Sequence, residues 1–297
     1  MAGRFADRLA ALVAERESQV VLGLDPDPAR VWPEALDAAP PDGDPAVRAA
    51  EVVVAHCSAL IAAAGPACVA CKPQVACFER LGPPGCAALE RVAAAARAAG
   101  LLVLADAKRG DIDVSATAYA QAFLGGVPTP FGTVSSVDAD AMTVAPYMGA
   151  DTLAPFVATG RGVFVLVRTS NPGAADVEDA RLASGLRVWE HVAQLVAGLD
   201  DGAGALSDVG AVVGATQPEH LARARELMPR AVFLLPGIGA QGGKVADLAP
   251  AFAPGRAGGL VTASRSIARA HEQHGGTPAS AARAEAERLR EQAWSIS

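Results

Sequence analysis

The sequence predicts an α/β fold, a (β/α)8 TIM barrel that forms a single domain over residues 1–297. Three observations favour this fold: eight short apolar runs, helical patterns between most of them, and no linker or repeat that divides the chain. The Pro- and Asp-rich residues 26–45 and the Gly-, Pro-, Ser- and Thr-rich residues 125–140 are expected to be loop insertions. A doubly wound open sheet has a similar alternation of elements and is the alternative.

Each predicted strand is a short apolar run without polar alternation, which is typical of parallel strands covered on both faces. In chain order the predicted strands are 20–24, 67–71, 101–105, 141–146, 162–167, 209–214, 231–235 and 258–262. The helical patterns lie at about 4–16, 45–64, 85–99, 112–123, 182–199, 217–228 and 278–294. Strand and helix therefore alternate along most of the chain, as they do in successive βα units.

Composition and charge exclude several classes of protein. The formal net charge is -7 and the basic residues do not cluster, so we expect no nucleic-acid partner. We see no signal peptide and no run of 18 apolar residues free of charges and breakers, so we expect no membrane span and a cytoplasmic location.

The five cysteines are expected to be reduced thiols. Cys68 and Cys71 have no second Cys/His pair at zinc-site spacing, and small buried side chains are their expected role.

Charged side chains interrupt the apolar pattern at the end of the third predicted strand. Asp106 and Lys108 are two residues apart, so on an extended chain they point to the same side. Asp111 follows at a predicted helix start. A strand-end ion pair with Asp111 as a helix cap would explain these residues structurally. A charge array at the carboxyl end of a barrel strand, where such folds keep their active sites, would explain them functionally.

Other strand ends supply further polar residues, which a barrel would bring to one mouth. These residues are Asp25, Lys72, Ser170, Ser264 and Arg265. The loops after strands seven and eight are typical of a phosphate site, because Gly239 allows close backbone approach, Gln241 can donate and Arg265 can pair with phosphate. Tight turns and a surface arginine are the structural alternative. None of the five histidines follows a strand, so a histidine general base is not expected.

The segment Asp106-Ala-Lys108-Arg-Gly-Asp111-Ile112 resembles the D-x-K-x-x-D-I signature of orotidine 5'-phosphate decarboxylases. Residues 71–79, 169–174 and 236–243, together with Ser264-Arg265 and the two expected insertions, are similar to the longer bacterial subfamily, type 2. The resemblance extends over residues 20–267, with motifs on most predicted strands in the right order.

The resemblance implies a homodimeric barrel that converts orotidine 5'-phosphate to UMP and CO2 in de novo pyrimidine biosynthesis, with no metal and no organic cofactor. It implies four catalytic residues: Lys72, Asp106, Lys108 and Asp111. Asp111 and Ile112 would reach into the neighbouring subunit's site. The resemblance also implies substrate contacts from Asp25 and Lys72 to the ribose, from Ser170 to the pyrimidine, from Gln241 to pyrimidine and phosphate, from Gly239 in the glycine loop, and from Arg265 to the phosphate. Ser115 stands where a threonine is common, and Ser264 where a glycine is common, which leaves a backbone N–H contact possible.

The implied chemistry fits these residue types. Loss of CO2 leaves a carbanion at C6 that the pyrimidine ring cannot delocalise, so the site must stabilise it electrostatically. Lys108 between two carboxylates stays protonated and can deliver a proton to C6. Asp106 would act either by repelling the substrate carboxylate or by holding Lys108, and the sequence leaves both open.

Two other functions fit parts of the pattern. Mg²⁺-dependent sugar-phosphate decarboxylases or aldolases of the same suprafamily share the third-strand motif but carry an acid at the end of strand two. This chain has Lys72 there, and an ammonium group is a poor Mg²⁺ ligand. A non-catalytic nucleotide-binding barrel is the alternative outside enzymes, but it would not need lysines and acids interleaved beside a phosphate loop.

Overall fold

The computed structural model describes residues 3–215, 218–237 and 245–297. Within these residues eight parallel strands close into a barrel, because the last strand pairs with the first: Val20 lies opposite Val261. Around the barrel the strands are β1 (Val20–Leu24), β2 (Ala70–Pro73), β3 (Leu102–Arg109), β6 (Ala141–Val144), β7 (Gly162–Arg168), β8 (Ser207–Val213), β9 (Ala231–Leu235) and β10 (Gly259–Ala263). The predicted barrel is confirmed, and the alternative of an open sheet is wrong.

A β-hairpin of β4 (Gly126–Thr129) and β5 (Gly132–Ser135) lies where the sequence predicted a loop at 125–140. Thr129, Thr133 and Val134 are β-branched and favour extended backbone, while Gly132 takes a φ of 114° in the turn. The loop prediction was wrong here because the many Gly and Pro residues hid two short runs with strand propensity.

Helices surround the barrel, and most follow the predicted pattern. They are α1 (Phe5–Arg16), α2 (Pro45–Ala64), α3 (Val75–Glu79), α4 (Pro83–Ala98), α5 (Asp113–Leu124), α6 (Ala154–Val157), α7 (Ala174–Val177), α8 (Val188–Gly198), α9 (Pro218–Leu227), α10 (Arg265–Ala268), α11 (Ala270–His274) and α12 (Pro278–Ile296). Short 3-10 helices span Pro33–Ala38, Gly65–Ala67, Ala150–Leu153, Val245–Phe252 and Arg256–Gly258. Helix α8 begins later than predicted because residues 181–187 form a turn, in which Leu182 N donates to Leu186 O at 2.8 Å.

The amino-terminal end of the barrel interior is filled by α1. Phe5, Leu9 and Val13 are buried in one cluster with inward side chains of the barrel strands. The Phe5 ring meets the Phe164 ring edge-on with centroids 5.9 Å apart, and a Cβ on Gly162 would lie 2.5 Å from the Phe5 ring. Apolar packing thus closes this end, and the polar inward positions lie at the other.

Inward side chains alternate along each strand, and this period of two decides which residues reach the mouth. On β3 the inward series is Leu102, Leu104 and then Asp106; on β6 it is Ala141 and then Thr143. The first members lie in the apolar cluster and the last line the cavity described below. On these two strands the polar side chain therefore lies one inward step beyond the apolar core.

One helical segment among the described residues, Pro45–Ala67, is long and apolar enough to cross a membrane by length and composition alone. It contains α2, which buries Val53, Cys57, Leu60 and Ile61 against the barrel. Packing of this face in the core accounts for its apolar character without a bilayer.

Candidate active site

A cavity of about 450 Å³ opens at the carboxyl end of the barrel. Strand ends from all sides of the barrel contribute to its wall. The polar and charged lining residues are Asp25, Lys72, Gln74, Asp106, Lys108, Thr143, Thr169, Ser170, Asn171, Thr262, Ser264, Arg265 and Ser266. Seven of the residues predicted from the sequence thus meet in one cavity: Asp25, Lys72, Asp106, Lys108, Ser170, Ser264 and Arg265.

The centre of this wall is a lysine–carboxylate–lysine array. Lys72 Nζ lies 2.6 Å from Asp106 Oδ2, and Lys108 Nζ lies 2.5 Å from Asp106 Oδ1. The side chains of Lys72 and Asp106 are buried, whereas 45% of the Lys108 side chain is exposed toward the cavity and solvent. One carboxylate therefore pairs with two ammonium groups, and Lys108 is the more exposed of the two lysines.

Opposing effects act on the ionisation of the buried pair. Burial by itself would raise the pKa of Asp106, but the charges of Lys72 and Lys108 outweigh burial and hold it well below its usual range. Burial would lower the pKa of Lys72, but Asp106 and Asp25 outweigh it and raise that pKa. At neutral pH the pair is therefore a carboxylate and an ammonium ion.

Lys108 reaches Asp106 by a backbone irregularity that the sequence did not predict. Its φ is 47°, in the left-handed region, and the register of β3 against β6 shifts between Ala105 and Arg109. The two side chains do not converge because the strand is regularly extended, so that part of the prediction was wrong. A left-handed conformation costs a non-glycine residue roughly 1–2 kcal/mol, and such positions cluster at functional sites.

Two residues of the array were not predicted as site residues. Gln74 Nε2 donates to Asp106 Oδ2 at 3.0 Å. Thr143 Oγ1 donates to Asp106 Oδ1 at 2.9 Å and accepts from the Lys108 backbone N–H at 3.0 Å. The sequence did contain a feature that could have identified Thr143. It is the single polar residue of the run 141–144, and it occupies an inward position.

Asp25 and Ser264 form one side of the cavity. Ser264 Oγ donates to Asp25 Oδ2 at 2.5 Å. A Cβ on Gly23 would lie only 2.7 Å from Ser264 Cβ, so glycine at this inward position of β1 lets the end of β10 approach. The Ser264 hydroxyl is thus directed at the Asp25 carboxylate.

The segment 169–171 is held against the wall by a second charged network. Arg168 pairs with Asp179 at 2.9 Å, and Glu178 accepts from the backbone N–H and the hydroxyl of Thr169, each at 2.8 Å. A Cβ on Gly214 would lie 3.0 Å from Ser170, which places the end of β8 close to this segment. Ser170 therefore lines the cavity from a loop whose neighbouring residues are fixed by these contacts.

Arg265 is the first residue of α10 and projects into the cavity mouth beside Ser264 and Ser266. Its side chain is exposed to solvent, as a residue that binds an anionic ligand would be. Gly237 lines the cavity from the β9 end. Gly239 and Gln241, which were predicted beside it, lie outside the described residues.

Asp111, Ile112 and Ser115 do not line the cavity of their own chain within the part that the structure describes. Asp111 Oδ1 accepts from the Ile112 backbone N–H at 2.8 Å, and α5 begins at Asp113 without a side-chain cap. The structural alternative, in which Asp111 caps this helix, is wrong. Ile112 is 58% exposed and Ser115 is exposed, so this segment faces outward.

The cysteines and potential metal ligands lie apart from this chemistry. Cys68 and Cys71 are buried free thiols, and burial raises the pKa of each to about 12. Cys77 is half-buried and Cys86 exposed. In residues 3–215, 218–237 and 245–297, no three His, Cys, Asp or Glu side chains are arranged to hold a metal ion.

A closed eightfold barrel with a buried lysine–carboxylate–lysine array at its carboxyl end defines the class: a (β/α)8-barrel enzyme that places fixed charges against a small ligand. The chain belongs to the orotidine 5'-phosphate decarboxylase / HUMPS family, whose sequence model matches residues 18–282.

Individual relatives are similar over nearly the whole chain. The orotidine 5'-phosphate decarboxylase of Deinococcus radiodurans is 41% identical over 281 residues, which cover 90% of each protein. That of Haloarcula marismortui is 44% identical over 271 residues, 90% of this chain and 88% of the relative. The solved structure of Leishmania donovani OMP decarboxylase superimposes with a TM-score of 0.75 at 33% identity, over 99% of both chains.

Proposed function

We propose that this protein decarboxylates orotidine 5'-phosphate to UMP and CO2 in pyrimidine biosynthesis, with no metal or organic cofactor. The observation that carries this proposal is the array in which Asp106 holds both Lys72 and Lys108 at the cavity wall. Fixed opposite charges of this kind need no reorganisation when charge develops in a transition state. The names of its relatives point to the same reaction.

In the proposed step the bond between C6 and the substrate carboxylate breaks, CO2 leaves, and the electron pair stays on C6. The Lys108 ammonium group stabilises this carbanion and then transfers a proton to it, which yields UMP and a neutral amine. Because 45% of the Lys108 side chain is exposed, solvent can return the proton after the product leaves.

Asp106 is proposed to position the two lysines. Its Oδ1 already meets Lys108 and Thr143, and its Oδ2 meets Lys72 and Gln74. Four donors fill the hydrogen-bonding capacity of a carboxylate. This arrangement favours a role in fixing Lys108 over a role in repelling the substrate.

The substrate is proposed to lie across the cavity with its phosphate at Arg265. Asp25 and Lys72 would meet the ribose hydroxyls and Ser170 the pyrimidine, and all three line the same cavity. Gly239 and Gln241 are proposed to complete the phosphate side. Binding energy from the distant phosphate can then offset the cost of distorting the reacting ring.

We also propose that two copies of the chain form a cytoplasmic homodimer in which Asp111 and Ile112 complete the partner's site. Exposed apolar side chains support this: Ile112 is 58%, Val114 76% and Tyr147 90% exposed, close to the ends of β3 and β6. No charged residue occurs between Asp113 and Asp138. Exposed apolar side chains that lie close together can mark a protein–protein contact.

The decisive experiment is a spectrophotometric assay of the purified protein with orotidine 5'-phosphate, before and after exhaustive EDTA treatment. We expect turnover that EDTA does not change, because Lys72 stands where a Mg²⁺-binding acid would be needed. A preparation given back Mg²⁺ is the control. Activity on a sugar phosphate that requires Mg²⁺, with none on orotidine 5'-phosphate, would assign the protein to the alternative branch.

A further inference from the structure

Thr143 lies on the inner wall of the barrel and contacts both Asp106 and Lys108, the two charged residues of β3 that line the cavity. It is 1% exposed as a residue, yet it contributes to the lining of the cavity. Its neighbours on β6, Met142 and Val144, point into the apolar layer between strands and helices. A polar side chain at such a buried position requires partners, and Thr143 has two.

The Thr143 hydroxyl makes both of its hydrogen bonds to the array. Oγ1 donates its hydrogen to Asp106 Oδ1 at 2.9 Å, while a lone pair accepts the Lys108 backbone N–H at 3.0 Å. A hydroxyl has one donor and two acceptor positions, so it can bridge a carboxylate and an N–H group in this way. Valine has the same shape and can do neither.

The second bond is needed because the strand ladder is interrupted here. The register of β3 against β6 shifts between Ala105 and Arg109, and Lys108 lies in the left-handed region with φ 47°. The Lys108 backbone N–H therefore donates to the Thr143 hydroxyl rather than to a strand carbonyl. The same hydroxyl thereby links the backbone turn of Lys108 to the carboxylate that holds its ammonium group.

We propose that Thr143 is a positioning residue for the proton transfer: it holds the Lys108 backbone and the Asp106 carboxylate in one fixed geometry, so that the ammonium group meets the reacting carbon. The inference rests on the proposed decarboxylation. Thr143 acts through Asp106 and Lys108, and it makes no contribution to phosphate binding at Arg265.

The test is Thr143→Val, with kcat and KM for orotidine 5'-phosphate measured separately. We expect kcat to fall roughly 10- to 100-fold, because a misplacement of about 1 Å in a reacting group has effects of this size. KM and the dissociation constant of UMP should stay within about threefold, since the phosphate and ribose contacts are unchanged. Thr143→Ser keeps the hydroxyl and should restore kcat to within about threefold of wild type.

Thr159→Val is the matched control. The Thr159 hydroxyl likewise makes two hydrogen bonds: Oγ1 donates to the backbone oxygen of Phe156 at 2.7 Å and accepts from the Arg161 backbone N–H at 3.2 Å. It precedes β7 at the amino-terminal side of the barrel. Its substitution removes a threonine hydroxyl with two hydrogen bonds outside the cavity and should leave kcat unchanged.

The outcomes separate the two proposals. If wild type does not turn over orotidine 5'-phosphate, the proposed function is wrong and this inference is wrong with it. If wild type is active and Thr143→Val keeps its full kcat, or Thr143→Ser loses as much as valine does, only the role of Thr143 is overturned. Should the valine variant not fold, Thr143→Ala against Thr143→Ser gives the same comparison.

Discussion

Lys108 combines an unusual backbone conformation with a charge that is half-open to the cavity. A left-handed backbone conformation is energetically unfavourable for a residue other than glycine, so its surroundings must stabilise it. Here Thr143 accepts the Lys108 backbone N–H, and Asp106 accepts from its ammonium group. The two functions expected of it, counter-charge and proton donor, both depend on where its Nζ lies. The proposed roles of Lys108 therefore require both its ammonium group and the backbone conformation that positions it.

Lys108→Ala should abolish nearly all turnover. We expect kcat/KM to fall at least about 10⁴-fold, because the substitution removes the general acid and the carbanion's counter-charge together. The fold should survive, since Asp106 keeps its bond to Lys72. Arg91→Ala, which breaks an exposed pair with Glu51, is the control for loss of a cation and should leave the rate unchanged. Rapid turnover by purified Lys108→Ala would refute the assigned role.

His56 should make stability depend on pH. Burial lowers the pKa of His56 to about 4, and Nδ1 of its neutral ring accepts the backbone N–H of Trp32 at 3.2 Å. In the unfolded chain the pKa is about 6.5, so unfolded molecules bind more protons as the pH falls from about 6.5 to 4, and stability is lost over that window. The full loss would be about 3 kcal/mol.

Urea unfolding between pH 7.5 and 4.5 measures this effect. His56→Gln removes the titration and should flatten the dependence of the unfolding free energy on pH, whereas His274→Gln, at an exposed position, should not. An equally steep dependence in His56→Gln and wild type would show that other groups cause it.

At the scale of elements, residues at the carboxyl ends of the strands form the site. The alternation of inward and outward side chains along each strand could be predicted from the sequence. The side chains of Lys72 and Asp106 follow from a period of two, continued one step past the apolar core. The bulge at Lys108 did not follow, because a left-handed lysine has no signal comparable to glycine. Gln74 was overlooked since an amide after a strand has many uses, and its partner is 32 residues away in sequence.

The short helix α10 should act as a phosphate-binding element through Arg265. Arg265→Ala should lower kcat/KM for orotidine 5'-phosphate about 10- to 100-fold, because hydrogen bonds to charged groups contribute roughly 1.5–3 kcal/mol. Part of the loss should appear in kcat if phosphate binding drives closure of the site. Arg283→Ala, an exposed arginine of α12, is the control.

The sharpest comparison uses orotidine, which lacks the phosphate. Wild type and Arg265→Ala should process it at similar low efficiency, since the removed contact is absent from both reactions. A loss with orotidine as large as that with the phosphorylated substrate would show that Arg265 serves the fold or the ring site rather than the phosphate.

For the whole molecule, the question is whether one chain makes a complete site. In a two-fold dimer each site would take Lys72, Asp106 and Lys108 from one chain and Asp111 from the other. Asp106→Ala and Asp111→Ala should each be inactive alone. In a mixed dimer one site carries both lesions and the other carries neither.

Co-expression or joint refolding of the two variants should therefore restore activity. With random exchange about half of the dimers are mixed and each has one intact site, which gives roughly a quarter of wild-type activity. Each variant treated alone is the control. If mixed dimers are demonstrated by a tag on one chain and activity remains at background, Asp111 acts within its own chain.

The position of helix α1 limits how substrate enters the barrel and how products leave it. Phe5, Leu9 and Val13 seal the floor of the barrel, so reactant and both products share the opening at the carboxyl end. CO2 formed at the wall must leave past the nucleotide that still lies above it, or wait until that nucleotide departs. Any segment that folds over the opening would then retain both products together, and the time they need to escape would set an upper limit on the rate of each cycle.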